Sequence, residues 1–414
     1  MVFGFLTRGC KISGRKFFAI LLLFFPSFAW FYIFENYLRL LISSFTVDTI
    51  WVYIGLLLYY ASIVISAIIG SIISGKWNRK RFLNFWIFFG LITTVSVAVF
   101  KGLLFSLFSG ILVGTSFGLG FPSILACFAE STTVEERGRI SGALIFITFM
   151  TLIFIIGIMS NLQLFGSIGH LLISIILRAI SLFALLIDPC EKVVCKKSRW
   201  MAVLTTHGFW LYFISWLMFS VAAGTFGFIG LPLSLEQVRE SGLGSILLYA
   251  GTVISALIAG FSADRYGRKN IILFGLISLG ISYIFFGIAS SPISYLLTRI
   301  IYGAAWGIFF VVYGFTVIGD LAYTCSKEKL MTIGVIPPFI VLGIFQTLSG
   351  TFRISITPNI ISAILGVMSL VSLVPLIYAP ETLPKEKILR KQLEEHLARA
   401  KELQKRLKEK KDLS

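Results

Sequence analysis

Charged residues are scarce in the apolar stretches of this chain, so the few that occur there are the first candidates for chemistry. Glu35, Arg178 and Arg299 each lie inside such a stretch. An ionised side chain there costs roughly 2.5–3.5 kcal/mol on insertion scales, so it must serve a substrate or ion pathway or be held by an internal bond. Glu35, with Asn36 beside it and Arg39 at i, i+4, reads either as a protonatable coupling site or as an interfacial ion pair. Arg178 reads either as a substrate or coupling contact or as a structural bond to carbonyls of a neighbouring helix. Arg299 reads as a substrate contact or as a side chain that snorkels to the surface. Gln346 and Asn359, near two proline-containing segments, can bind substrate or bond across helices.

Patterns that would announce an enzyme are weak. Gly114-Thr115-Ser116-Phe117-Gly118 has the form of a nucleophile elbow, but it falls inside an apolar span. That chemistry needs a strand-turn-helix context and a histidine in reach, and the chain holds only His170, His207 and His396. The pattern is therefore read as small residues that admit a neighbouring helix. Cys190, Cys195 and His207 match no zinc spacing and lack a fourth ligand. No phosphate-cradling Gly-Lys-Ser/Thr loop is present. Neither metal nor cofactor is expected, and a membrane-embedded enzyme is the disfavoured reading. All five cysteines are expected at or near the cytoplasmic side as free thiols.

The densest polar signal is Gly260-Phe261-Ser262-Ala263-Asp264-Arg265-Tyr266-Gly267-Arg268-Lys269. It interrupts two apolar runs with a charged turn in which Gly267 can take the left-handed conformation that reverses the chain. A worn copy stands at Ser74-Gly75-Lys76-Trp77-Asn78-Arg79-Lys80-Arg81, where Gly75 replaces Asp264 and Asn78 replaces Gly267. The two copies are 189 residues apart, and the same offset carries Gly114 and Gly118 onto Gly303 and Gly307. A repeated offset argues for an internal duplication.

The elements that carry these residues follow from composition. Hydrophobic residues make up 57% of the 414, charged residues 13%, and the mean hydropathy is +0.92. No globule of this size can hide that much apolar surface, so lipid must be the solvent. Twelve stretches are long enough to span, near 16–40, 51–74, 82–100, 102–126, 140–160, 166–187, 208–231, 242–262, 270–289, 293–321, 329–350 and 355–379. The first, preceded by Arg8, Lys11, Arg15 and Lys16, is read as a retained span because no small-residue cleavage site interrupts it.

One set of loops holds nineteen Lys and Arg and the segment after Pro380 eleven, against Arg39, Lys101, Arg239 and Arg353 on the other side. That asymmetry predicts both termini in the cytoplasm. The net charge of +17 then describes a membrane face beside anionic lipid and not a nucleic-acid site. The expected architecture is an all-α membrane protein with two parallel six-helix repeats: 1–187, a basic linker 188–206, 207–380, and a charged tail 381–414. Leucines in the tail recur at three and four residues, suiting a helix that lies on anionic lipid, pairs with another helix or extends into solvent.

In this context the charged turn resembles the G-x-x-x-D-R-x-G-R-[KR] loop signature of the major facilitator superfamily, and the resemblance spans nearly the whole chain. It implies a transporter, not an enzyme, working by alternating access, with Asp264 and Arg268 latching the cytoplasmic side against Arg137 and Arg139. Lys76, Arg79 and Lys80 of the worn copy and Arg265, Gly267 and Lys269 of the better one belong to the same implied gate. Glu130, Arg137-Gly138-Arg139 and Pro380-Glu381-Thr382 are similar to signatures of the sugar-porter and organic-ion branches, which adds Glu130 and Asp320. Gly75 lacks the expected carboxylate, and Gly110 stands where proton-linked relatives often carry Arg. Span seven has no hexose-type Gln-x-x-Ser-Gly-x-Asn segment. The implied cargo is a small polar or anionic metabolite, a sugar or organic acid, with protons as the candidate coupling ion and a plasma membrane as the location. A drug or metabolite efflux carrier of the same fold is the alternative.

Overall fold

The structure is a computed structural model that describes residues 11–99, 101–161, 166–188, 207–225, 243–288, 291–322, 327–351 and 357–384, together with 386, 389, 393 and 397. In hydrocarbon a backbone must satisfy its own polar groups, and long helices do this within one segment. Among the described residues twelve helices are long and apolar enough to cross a membrane, and no strand occurs. They are α1 Gly14–Ser43, α2 Ile50–Lys76, α3 Arg79–Val99, α4 Leu103–Ser131, α5 Arg137–Asn161 and α6 Gly166–Ile187, followed by α7 His207–Thr225, α8 Leu243–Tyr266 and α9 Arg268–Ile288. The last three are α10 Pro292–Leu321, α11 Lys327–Thr351 and α12, which runs Pro358–Val371 and then Leu373–Tyr378. Outward-facing positions such as Phe154, Leu186 and Ile258 are apolar and exposed, as a lipid-facing surface requires. The protein is an integral membrane protein.

The duplication is visible in how helices touch. Gly114 and Gly118 of α4 lie against the carbonyls of Tyr59 and Ile63 on α2. Gly303 and Gly307 of α10 lie against those of Leu248 and Thr252 on α8. All four pairs keep the offset of 189, so the two halves repeat the contact in the same register. Small residues allow this approach because lipid offers no hydrophobic drive between helices, and close packing must hold them instead. The halves meet along two seams, α2 against α11 and α5 against α8.

Two local features of the second half escape sequence periodicity. Residues Phe310–Val317 form a π-helical stretch inside α10. Pro337 and Pro338 lie inside α11, and Pro338 has no N–H to bond the carbonyl of Gly334. The indole N–H of Trp216 on α7 donates to that carbonyl at 2.8 Å, so the freed acceptor is satisfied from a neighbouring helix.

Gly267 adopts φ of 97°, the left-handed conformation expected of the turn between α8 and α9. Asn78, its counterpart, caps α3 by side chain: its Oδ1 accepts from Lys80 N at 3.0 Å and Arg81 N at 3.4 Å. Cys127 is buried and disulfide-bonded, which corrects the expectation of a free thiol there. The other four cysteines, most of linker 188–206 and most of tail 381–414 lie outside the described residues, although Leu389, Leu393 and Leu397 are helical and exposed.

A valine at Gly307 would drive side-chain atoms into the Thr252 carbonyl. Gly307→Val is expected to destabilise the α8–α10 pair by about 1–3 kcal/mol, read as a lower melting temperature in detergent. An unchanged melting temperature would refute the close-packing role.

Candidate functional site

At the end of the bundle where α2, α4, α8 and α10 finish and α3, α5, α9 and α11 begin, buried charges form two clusters. In one, the Asp264 carboxylate at the end of α8 accepts from Gly138 N at 3.0 Å and Arg139 N at 2.8 Å, in the first turn of α5. The first N–H groups of a helix lack internal partners and sit at the positive end of its dipole, so this is a natural seat for an anion. Arg139 lies 3.4 Å from the same carboxylate and Arg268 2.8 Å. Arg268, fully buried, also reaches Asp320 at 3.3 Å and the carbonyls of Ala263 at 2.5 Å and Val134 at 2.6 Å. Asp320 pairs in addition with Arg137, which bonds the carbonyls of Ala129 and Thr132.

Glu381 completes this cluster by capping α9, accepting from Arg268 N at 2.9 Å and Lys269 N at 3.1 Å. A Cβ on Gly267 would strike that carboxylate, so both φ and space select glycine. Lys269 Nζ donates to the carbonyls of Ile377 and Ala379.

In the other cluster Arg79 of α3 binds Glu130 of α4 through both terminal nitrogens, at 2.5 and 3.1 Å, and Glu328 of α11 at 2.5 Å. Arg79 is 1% exposed and Glu328 3%, a degree of burial tolerable only because each is paired. Glu328 joins the first half to the second, as the Asp264 contacts do in the reverse sense.

Between the halves lies a cavity of about 470 Å³, within the usual range for small-molecule sites. On α1, Phe24, Phe28, Phe31, Tyr32 and Glu35 face it at helical spacing, and on α10 Arg299, Tyr302, Trp306 and Phe310 do the same. Fourteen of its twenty-five lining residues are aromatic, so apolar contact dominates recognition there. Among its described lining residues Glu35 and Arg299 are the two that carry charge. Tyr249 of α8 donates to the Tyr32 hydroxyl, bridging the halves, and the buried Tyr60 hydroxyl, with Glu35 as its polar neighbour, makes no well-formed hydrogen bond among the described residues. Toward the charged end Phe315 packs edge-on against Phe24 at 5.2 Å and Phe128 at 4.9 Å, an aromatic layer between cavity and ion pairs.

The family described as "Sugar (and other) transporter" matches residues 234–410. A bacterial homologue of the iron transporter ferroportin, solved outward-facing with soaked iron, superposes with a TM-score of 0.70 at 14% identity, covering 89% of this chain and 98% of its own. The proton:xylose symporter XylE, bound to 6-bromo-6-deoxy-D-glucose, gives 0.67 at 14%, covering 89% and 95%. The xylose transporter XylE from E. coli in a partially occluded inward-open conformation gives 0.63 at 14%, covering 90% and 98%. No curated protein matches in sequence. The chain shares the twelve-helix fold of these solved structures, the major facilitator fold. The matched family and folds belong to transporters and not to enzymes.

Within this major facilitator fold the residues singled out in the sequence separate by location. Asp264, Arg268, Arg139, Arg137, Glu130, Asp320 and Arg79 meet in the buried clusters. Lys76 and Lys80 are exposed and outside them, because Gly75 supplies no acid to draw them in. Arg265 lies with its guanidinium 5.1 Å from the Tyr266 ring. Glu35 and Arg299 line the cavity, while Asn36 is exposed and bonds back to the Tyr32 carbonyl. Asn359 is exposed at the start of α12, and the side chain of Gln346 lies outside the described residues.

Glu328 was not anticipated. The signal was available, since Glu328 is the repeat counterpart of Arg139 at the same offset, just as Arg79 is the counterpart of Arg268. The carboxylate lost at Gly75 reappears on the facing helix. In the same way Arg299 is the repeat counterpart of Gly110, placing a cation in the second half where the first has none.

Arg178 is fully buried and absent from the cavity lining. Its guanidinium lies 4.5 Å from the Trp30 ring and 4.2 Å from the Trp86 ring, and donates to Ser27 Oγ and the Ser116 carbonyl and hydroxyl. Aromatic faces and a carbonyl compensate this desolvated cation without a carboxylate among the described residues. Ser116, of the elbow-like pattern, is thereby a packing residue. Arg178→Met is expected to lower stability by about 2 kcal/mol or more through loss of these contacts. A melting temperature equal to that of the parent would count against it.

Proposed function

We propose that the chain is a secondary transporter that moves a small organic solute by alternating access, with the central cavity as its binding site. The observation that carries this reading is the position of the cavity: it lies on the seam between the halves, takes its lining from both, and is closed toward one end by ion pairs that cross the seam. Opening that end requires Glu328 to leave Arg79 and Asp264 to leave the start of α5. The gate residues proposed are Asp264, Arg268, Arg139, Arg137, Asp320, Arg79, Glu130 and Glu328, with Gly267 and Lys269 shaping the turn. By the distribution of basic residues this closed end faces the cytoplasm.

Residues 1–187 and 207–380 are proposed as the two rocking units. Glu35, the carboxylate among the cavity-lining residues and ion-paired with Arg39 at 3.0 Å, is the proposed proton-coupling residue. The family match and the xylose symporter favour a sugar as cargo. An organic acid is favoured by the lining, in which Arg299 stands among aromatic rings and no Asn or Gln is found among the described residues.

The gate can be tested without knowing the cargo. Gly314 lines the cavity with open space for a side chain, so Gly314→Cys introduces a reporter thiol. Replacing Glu328 by Gln is expected to raise its labelling by a maleimide from the charged end about tenfold, the size of one charge-assisted bond. Unchanged labelling in both Glu328→Gln and Asp264→Asn would sink the gate. For coupling, Glu35→Gln is expected to abolish accumulation along an imposed proton gradient in proteoliposomes while solute exchange continues; accumulation that persists would remove Glu35 from that role.

A further inference from the structure

The cavity holds two polar groups that the described residues do not satisfy in full. Arg299 donates through Nε to the Gly244 carbonyl at 3.2 Å and its guanidinium lies 5.8 Å from the Tyr302 ring, but no carboxylate among the described residues pairs with it. Glu35, the other charge, is already compensated by Arg39. Among the described residues the cavity therefore carries one positive charge without a carboxylate partner, which suits an anion. The second group is Tyr60: its side chain is 1% exposed, it lines the cavity, and its hydroxyl, whose polar neighbour is the Glu35 carboxylate, makes no well-formed hydrogen bond among the described residues. A buried hydroxyl without a well-formed bond is costly, and a ligand's polar group would recover part of that cost.

The rest of the lining defines the body of that ligand. The Tyr249 hydroxyl donates to that of Tyr32, that of Tyr302 to the Ala223 carbonyl, and that of Thr252 to the carbonyls of Leu248 and Gly303. Several sugar hydroxyls would be desolvated here with too few partners, whereas a flat apolar ring would gain contact with the aromatic walls.

We infer that the cavity selects an aromatic carboxylate bearing a second, hydrogen-bonding group, its anionic end at Arg299 and its hydroxyl at Tyr60. Arg299 comes from the second half and Tyr60 from the first, so such a solute would tie the two halves together. The inference rests on the reading of the cavity as the transport site.

The test is binding to the purified full chain, followed by quenching of tryptophan fluorescence, since Trp216 and Trp306 line the cavity. The probes are 4-hydroxyphenylacetate, phenylacetate, the neutral 4-hydroxyphenylethanol, the cationic tyramine, and D-xylose. The expected order places 4-hydroxyphenylacetate first and phenylacetate second. Arg299→Gln should weaken both acids about tenfold or more and leave the neutral alcohol unchanged. Tyr60→Phe should erase the preference between the two acids and leave phenylacetate as it was. Where Arg299→Gln lowers the melting temperature, Arg299→Lys takes its place, keeping the charge and losing the planar fork, with a smaller loss expected for both acids.

Tighter binding of xylose or tyramine than of either acid would overturn the inference, as would acid binding indifferent to both Arg299 variants. None of these outcomes touches the transporter reading, which stands or falls on the labelling of Gly314→Cys from the charged end.

Discussion

A charge buried in this bundle survives only where another charge, an aromatic face or a helix terminus compensates it, and that requirement organises the closed end of the molecule. Arg79, Arg137 and Arg268 are all but fully buried, and each finds a carboxylate. Because some of those carboxylates lie across the seam, satisfying the charges and closing the seam are the same event. Desolvated pairs of this kind need not add net stability, but separating them without replacement is unfavourable. In the proposed gate, water admitted to an opened end would supply the replacement.

The two clusters are related by duplication yet carry their charges on opposite partners. In one, α8 brings the acid and α5 receives it with backbone N–H groups and Arg139. In the other, the acid sits on α11 as Glu328, and Arg79 of α3 receives it. The exchange keeps one salt contact across each seam while the sequences of the two loops diverge. It also explains why a motif search marks the first loop as defective: the missing carboxylate was sought on the wrong helix.

Between these clusters and the cavity the fold combines rigidity with local irregularity. Glycine contacts fix α4 on α2 and α10 on α8, so each half is tied together within itself. The irregular backbone lies in α10 and α11, where a π-helical stretch and a Pro-Pro pair interrupt the regular ladder beside the cavity. Phe310, Gly314 and Phe315 come from the first and Pro338 from the second. A proline-freed carbonyl bonded by Trp216 shows how such a break is tolerated without exposing polar backbone to lipid. Arg178, wedged between Trp30 and Trp86, shows a different solution, in which rings and carbonyls replace the counter-ion inside the first half.

Hydropathy and its interruptions were enough to read twelve spans, because a helix in lipid must be long and apolar whatever it packs against. The offset of 189 revealed the duplication, because close helix contacts demand small residues at equivalent places. Charge type likewise marked Asp264, Arg268 and Arg79, since so few ions can be carried near hydrocarbon. The sequence could not say that Glu328 faces Arg79, that Arg178 is sealed away from the cavity, or that the Tyr60 hydroxyl is buried against it beside Glu35. Those facts depend on which side of each helix faces which neighbour, and in lipid, where every outward face is as apolar as the inward ones, the pattern of one helix does not disclose its orientation. Only the packed bundle decided it.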